Sequence, residues 1–323
     1  MNFFKLNKLT QYYNKKRPVT GVIYIATLIC GCLCLSGDKP FVYFCFLLFF
    51  LLLMFLIELV YYLRKKTLIL IKHNSFTTSA CNQKLPPVLH KNLRRIKEFN
   101  IDQCRYTKNN SVKNLKKAYK VLHKRVNKLI KKYSDKNHNL ALSARCHIPF
   151  MFYLGCNLSN LQLKLFEISR NGNHLIEISS NNCKFPSLKQ ENYIRPKNDI
   201  LNIVISISTK INTEFISDTS SFVELFLDEP HFDAIVCNQQ LDNYANVFFK
   251  LLNECQQDNI NRINIYYAGP MSLAFKLGQM IKPTIHPEVY VYNFSNMDTP
   301  NYGWALKMSS NLDYNNLEDY RRN

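Results

Sequence analysis

The chain has 323 residues, 42 Lys and Arg against 23 Asp and Glu, and a formal charge of +19, with nearly all the excess in the middle third: residues 64–140 hold 21 basic and 3 acidic residues, residues 141–323 hold 15 and 18. The length suits about two units of roughly 100 to 200 residues each, and the charge calls for an anionic partner, lipid or nucleic acid. Eleven cysteines without a CxxC pair or zinc spacing exclude a zinc module, and eight glycines without GxGxxG or a P-loop exclude a conventional dinucleotide or nucleoside-triphosphate site.

Five basic residues, Lys5, Lys8, Lys15, Lys16 and Arg17, form a basic tail over residues 1–17. Two apolar runs follow, 18–36 and 41–63, parted by Gly37-Asp38-Lys39-Pro40. Each is long enough to cross a hydrocarbon core of about 30 Å. The basic tail and the trio Arg64, Lys65 and Lys66 bracket them, so the positive-inside rule predicts a transmembrane hairpin with both termini cytoplasmic. A secretory signal is the competing reading of the first run, and the second run directly behind it favours the hairpin. Glu58 is the acidic residue inside a span; it marks an ion path or helix contact, or else a carboxylate reaching the interface near Arg64. Cys30, Cys32, Cys34 and Cys45 fall in these runs, and reduced thiols are expected throughout.

Residues 64–140 read as a basic stalk, broken by Pro86-Pro87, with a helix at about 111–133. There Val112, Leu115, Tyr119, Leu122, Val126, Leu129 and Tyr133 recur at spacings of three and four. Three uses are open to this seam: a coiled coil, disfavoured by Lys116, His123, Arg125 and Lys132 beside it; packing on a soluble domain with the lysines toward anionic lipid; or nucleic-acid binding.

From 141 to 323 short apolar runs alternate with helical ones, the pattern of an α/β domain. Ile200–Ile207 reads as a buried central strand, Asp242 or Asn243 as the cap of a helix through Cys255, and Ile263–Tyr267 as the next strand. The turn Ala268-Gly269-Pro270 opens a helix over 271–280, and a strand follows at 289–294. In such a Rossmann-like half, ligands sit at the carboxyl ends of strands against helix N-termini. The candidate pocket is therefore Ser206, Ser208, Thr209, Gly269, Pro270, Met271 and Ser272. Tyr292, Phe294, Tyr302 and Trp304 either stack on bases there or belong to the core.

A repeat is visible as well. Pro149 to Leu154-Gly155, then strands at 163–168 and 174–178, mirrors Pro270 to Leu277-Gly278, then strands at 289–294 and 304–308. Ile148-Pro149-Phe150 through Leu154-Gly155, the run 200–207, and Tyr267-Ala268-Gly269-Pro270 through Leu277-Gly278 into Val289-Tyr290-Val291-Tyr292 together resemble the SAVED domain. The resemblance covers 141–323. It implies two fused Rossmann-like (CARF-like) halves, the first abbreviated here, and a sensor of a cyclic di- or trinucleotide as in the anti-phage systems called CBASS.

With the two spans where related proteins carry an effector, the implied protein is a bacterial inner-membrane effector. It would bind cyclic oligonucleotide and lipid bilayer, form ligand-induced homo-oligomers, and need neither cofactor nor duplex nucleic acid. No catalytic constellation is apparent: Ser272 lacks the context of a nucleophile elbow, and Asp228, Glu229, His231 and Asp233 read as a solvated loop rather than a metal site. A membrane-anchored enzyme acting on nucleotides and a protein-binding scaffold are the alternatives.

Overall fold

The structure is a computed structural model describing residues 23, 26, 27, 29, 40–65, 67–76, 95–108, 111–134, 138–168, 174–179, 183–191, 193, 195–196, 198–216 and 222–321. It divides into two compact units, Met1–Thr67 and Leu68–Asn323. In the first, helix α1 (Pro40–Lys65) contains a 20-residue stretch, Phe41–Val60, of mean hydropathy 2.7, long and apolar enough to cross a membrane. Its large side chains, Phe41, Phe49, Leu52 and Phe55 among them, are exposed. Of the first apolar run, residues 23, 26, 27 and 29 are helical; the rest, with the turn at 37–39 and the basic tail, lies outside the described residues. Thr27 Oγ1 donates to the Ile23 carbonyl at 2.8 Å and lies 4.0 Å from Met54 Sδ on α1.

The second unit begins at once. Strand β1 (Thr67–Asn74) follows α1 after a single residue, then come β2 (Arg95–Asp102), the short helix α2 (Cys104–Thr107) and helix α3 (Val112–Tyr133). Strand β3 (Asn139–Arg145), helix α4 (Ile148–Asn157), β4 (Leu163–Ile168) and β5 (Leu175–Glu177) complete a five-stranded sheet ordered β2-β1-β3-β4-β5. The described residues between 67 and 134 are thus part of a core rather than a connector. TLILI in β1 is a β-branched and leucine run buried on both faces, and α3 packs its predicted seam, Leu115 to Tyr133, inside the domain. The seam is therefore used up, which removes the coiled-coil option.

Next come β6 (Lys189–Glu191), β7 (Ile200–Ser206), β8 (Phe222–Phe226) and helix α5 (Asn238–Gln257). Strand β9 (Arg262–Ala268), helix α6 (Met271–Met280), β10 (Glu288–Asn293), β11 (Trp304–Lys307) and β12 (Leu317–Asp319) follow. Their sheet is ordered β12-β11-β10-β9-β7-β8-β6. Helix α5 starts before the predicted cap because Gln240 accepts from Val236 N–H and donates to the Ala234 carbonyl, satisfying the loop that enters it.

The two halves repeat one design. In the first, β1, β3 and β4 are parallel and β5 is antiparallel; in the second, β7, β9 and β10 are parallel and β11 is antiparallel. Helices α3 and α4 occupy the crossovers that α5 and α6 occupy in the second half. The first half is therefore complete, not abbreviated: its opening strand and helix lie upstream of 141, where basic charge and the adjoining apolar helix disguised them.

Helices α4 and α6 pack against each other at the centre, each at its Leu-Gly pair. A Cβ on Gly155 would lie 2.1 Å from the Phe275 carbonyl oxygen, and one on Gly278 would lie 2.4 Å from that of Phe152. Gly155 and Gly278 are each three residues after the phenylalanine of the reciprocal contact, so the crossing has local two-fold character. One hydrophobic core runs through both halves, with Tyr119, Phe150, Phe152, Tyr153, Tyr244, Phe248, Phe275 and Trp304 among its largest buried members.

Among the described residues the cysteines depart from expectation at one place. Cys183 and Cys237 form a disulfide, because the bridge between Ser179 and Cys237 draws their two segments together and leaves the Cα atoms 6.4 Å apart. Cys146, Cys156 and Cys255 are free and buried. Burial pushes their thiols up, Cys156 and Cys255 to about 12.

Candidate functional site

Parallel strands deliver their following loops to one edge, and both halves contribute to a single cavity there. Its volume is about 430 Å³, within the range of small-molecule sites. The first half supplies Phe76 after β1, Cys146 and His147 between β3 and α4, and Ile148 at the start of α4. The second supplies the loop Ser208–Asn212 with Phe215 after β7, Phe232 after β8, Gly269 after β9 and Met271 at the start of α6, Asn293 at the end of β10, and Phe294 and Tyr302 beyond it.

Four of these are phenylalanines in the open: Phe76 is 42% exposed, Phe215 43%, Phe232 58% and Phe294 43%. Phe294 meets Phe215 at 6.3 Å and Tyr302 at 5.3 Å between ring centroids. Phe76 stacks on His147 at 4.4 Å. Holding four large apolar rings at one mouth is unfavourable in water and suits flat, stackable ligand groups.

The polar lining is uneven. Lys210 is exposed and is the cation of the lining, with Ser208, Thr209 and Asn212 around it. His147 is buried; its Nδ1 lies 2.6 Å from Ser75 Oγ, which also accepts its backbone N–H at 2.8 Å. Burial, with His73 nearby, lowers its pKa to about 4. At neutral pH His147 is therefore an uncharged aromatic and polar group, not a counter-ion.

Of the residues singled out from sequence, Ser208, Thr209, Gly269, Met271, Phe294 and Tyr302 line the cavity. The others have structural partners. Ser206 Oγ accepts from Ile211 N–H and donates to Glu224, both at 3.2 Å, shaping the loop that carries Lys210. The Pro270 carbonyl accepts from Tyr267 OH at 2.6 Å.

Ser272 N–H donates to Glu167 Oε1 at 2.7 Å, so a carboxylate from the first half caps α6 where a ligand anion was expected. Burial raises the Glu167 carboxyl above its ordinary pKa despite that bond. Tyr292 stacks between Tyr266 and Tyr320 and receives a hydrogen bond from Arg262 at 3.3 Å. Trp304 is fully buried against Phe150 and His147. Glu58 sits partly exposed on α1. Asp228, Glu229, His231 and Asp233 follow β8, where Asp228 pairs with Lys189 at 2.8 Å; among the described residues no three His, Cys, Asp or Glu side chains group as a metal site.

Sequence reasoning did not reach Phe76, His147, Lys210, Phe215, Phe232 or Asn293. The first two required knowing that β1 and β3 end beside β7 and β9. Lys210 lies three residues past the run 200–207 and Asn293 lies within the run 289–294, so a search of those strand ends for cationic and polar side chains would have found both; Phe215 lies further along the loop after β7, and Phe232 follows β8, a strand that the apolar pattern had not marked.

Known proteins place this architecture. The family model for the SAVED domain, the SMODS-associated and fused to various effectors sensor domain, matches residues 122–308. The chain belongs to the SAVED family. Its match starts midway along α3, while the compact unit that contains it extends back to Leu68.

Solved structures similar to it include the Acinetobacter baumannii Cap4 SAVED/CARF-domain containing receptor with the cyclic trinucleotide 3'3'3'-cAAA, at 12% identity and a TM-score of 0.49 over 75% of this chain and 52% of that one. The same receptor with 2'3'3'-cAAA gives 14%, 0.48, 75% and 51%. A Moraxella osloensis Cap4 receptor gives 12%, 0.45, 66% and 46%. The chain thus spans about half the length of these receptors. No curated protein matches it.

Proposed function

We propose that this SAVED protein is a bacterial inner-membrane sensor whose cavity receives a cyclic di- or trinucleotide during anti-phage defence, and whose apolar N-terminal segments carry the response into the bilayer. The observation that carries the reading is the ring of four exposed phenylalanines around a cavity built by both halves. Cyclic oligonucleotides present several bases outward from a compact phosphodiester ring. Phe76, Phe215, Phe232 and Phe294 offer faces for those bases, and Lys210 with the Ser208 and Thr209 hydroxyls offers charge and donors for phosphate.

The ligand class comes from the sensor role of SAVED domains, and the proposal assigns the chain no chemical step. A ligand that bridges both halves changes the equilibrium only if it binds one arrangement better than another. Binding is proposed to favour an assembled state that gathers the apolar segments of many copies, because the segments of one copy are too few to enclose a pore. Both termini then remain on the cytoplasmic side.

The test uses the full chain in detergent against a panel of cyclic di- and trinucleotides, with linear counterparts as controls. Each lost base-stacking contact is worth about 1–3 kcal/mol, so Phe294→Ala and Phe76→Ala should each weaken binding by about 5- to 150-fold while leaving melting of the free protein nearly unchanged. Lys210→Ala should weaken it and flatten its salt dependence. No binding across the panel, or unchanged affinity in both phenylalanine variants, refutes the site. Binding without a rise in mass or leakage from liposomes refutes the assembly step, and ligand turnover refutes the non-catalytic assignment.

A further inference from the structure

Helix α3 carries two interleaved stripes. Leu115, Tyr119, Leu122, Val126, Leu129 and Tyr133 are buried in the domain. Lys113, Lys117, Lys120, Lys124, Lys128 and Lys131 recur at the same spacing of three and four residues, and every one is exposed. Arg125 and Lys132 widen this face, and the helix contains no acidic residue. Among the described residues no ion pair reaches any of these eight cations. Like charges at i, i+3 and i, i+4 repel, so the row lowers the stability of its own helix and gains most against an extended anionic surface. From Lys113 to Lys131 it runs about 27 Å in a straight line at 1.5 Å per residue, a shape that matches a plane of headgroups.

The chain itself selects between anionic partners. Helix α1 ends at Lys65 and β1 starts at Thr67. Leu68 pairs with Asn139, six residues after the last residue of α3, so the start of β1 and the strand that follows α3 share one edge of the first sheet. Three residues span at most about 11 Å, so the covalent link ties the start of β1 to the end of a helix of membrane-crossing length. We infer that the lysine face of α3 docks on anionic lipid headgroups and so fixes the sensor against the membrane. This rests on the membrane reading of α1.

The experiment places the full chain carrying Asn127→Trp in lipid nanodiscs. Asn127 is exposed and neutral beside Lys124, Lys128 and Lys131, and the native Trp304 is fully buried, which leaves it a constant background. Discs contain brominated phosphatidylglycerol or, as control, brominated phosphatidylcholine. The expected result is loss of Asn127→Trp emission in the anionic discs only, reversed in about 1 M salt, where the Debye length falls to about 3 Å. The same loss should be absent in Lys124→Glu/Lys128→Glu/Lys131→Glu; the salt arm on the unreversed protein decides the matter if that variant does not fold.

Unchanged emission in anionic discs that still hold the chain overturns the docking and leaves the anchor standing. Release of the chain from discs by an alkaline wash overturns the membrane reading itself. Recovery of emission on adding a single-stranded oligonucleotide, at a charge concentration below that of the lipid, overturns lipid as the partner in favour of nucleic acid.

Discussion

Replacing Gly155 by alanine tests the helix crossing that joins the two halves. The new Cβ would sit 2.1 Å from the Phe275 carbonyl oxygen, against an ordinary carbon-to-oxygen approach of about 3.3 Å. Both sides of this contact are backbone, so no rotamer change relieves it, and α4 and α6 must part by about 1 Å. A gap of that size forfeits about a quarter to a half of the dispersion attraction across the interface, and overpacking of this kind costs about 3 kcal/mol at the upper end of its usual range. Alanine returns about 1 kcal/mol of helix propensity, leaving a net loss of about 2 kcal/mol, or about 4–8 °C in melting temperature for a unit of this size.

Gly278→Ala, 2.4 Å from the Phe152 carbonyl oxygen, should cost nearly as much. One separation of the helices relieves both clashes, so the double variant should fall short of the summed losses by about 1 kcal/mol or more. The assay is denaturant and thermal unfolding of the full chain in one detergent, completing a four-member cycle. Unchanged stability in either single variant, or strict additivity in the double, refutes the reciprocal crossing.

Two further predictions concern acid. His73 and His147 are both lowered to about 4 in the folded protein, chiefly by burial, so between pH 6.5 and pH 4 the unfolded chain binds protons that the folded one does not. Their contribution is present above pH 6.5 and declines as pH falls through that window, giving a melting temperature that drops across it; a flat profile there refutes the burial of neutral imidazoles. Glu318 is pushed up by burial, but hydrogen bonds from Arg262, at 2.7 and 3.2 Å, and from Tyr320 outweigh this and hold its carboxyl below the ordinary value. Its contribution is present above the unfolded carboxyl pKa of about 4.3 and is lost as pH falls through the folded value. Glu318→Gln should therefore lower stability at pH 7 and remove part of the decline below about pH 4.5, and equal acid profiles for the two proteins refute the pairing.

Much of the second half was legible before the structure. The helix at 271–280 and the strands around 200–206, 262–268 and 288–293 follow from local apolar periodicity, which depends only on which side chains must leave water. The first half was hidden for a physical reason. TLILI of β1 lies directly behind a long apolar helix and three basic residues, and α3 is so lysine-rich that its buried stripe reads equally well as a coil seam. Charge outweighed pattern, and a complete Rossmann-like half looked like a stalk.

What the amino-acid order determined alone is therefore local: an apolar N-terminal segment of membrane-crossing length, an α/β domain, a Leu-Gly repeat, and a turn at Gly269 poised for a strand-end site. Tertiary structure alone decided which chemistry meets. Phe76 and Phe294 are more than 200 residues apart and share one cavity mouth because parallel strands of two sheets end together. Ser272, Tyr292 and Trp304, equally good candidates by type and position, were turned inward to partners that no spacing reveals: a carboxylate across the two halves, a stack of tyrosines, and the packed core.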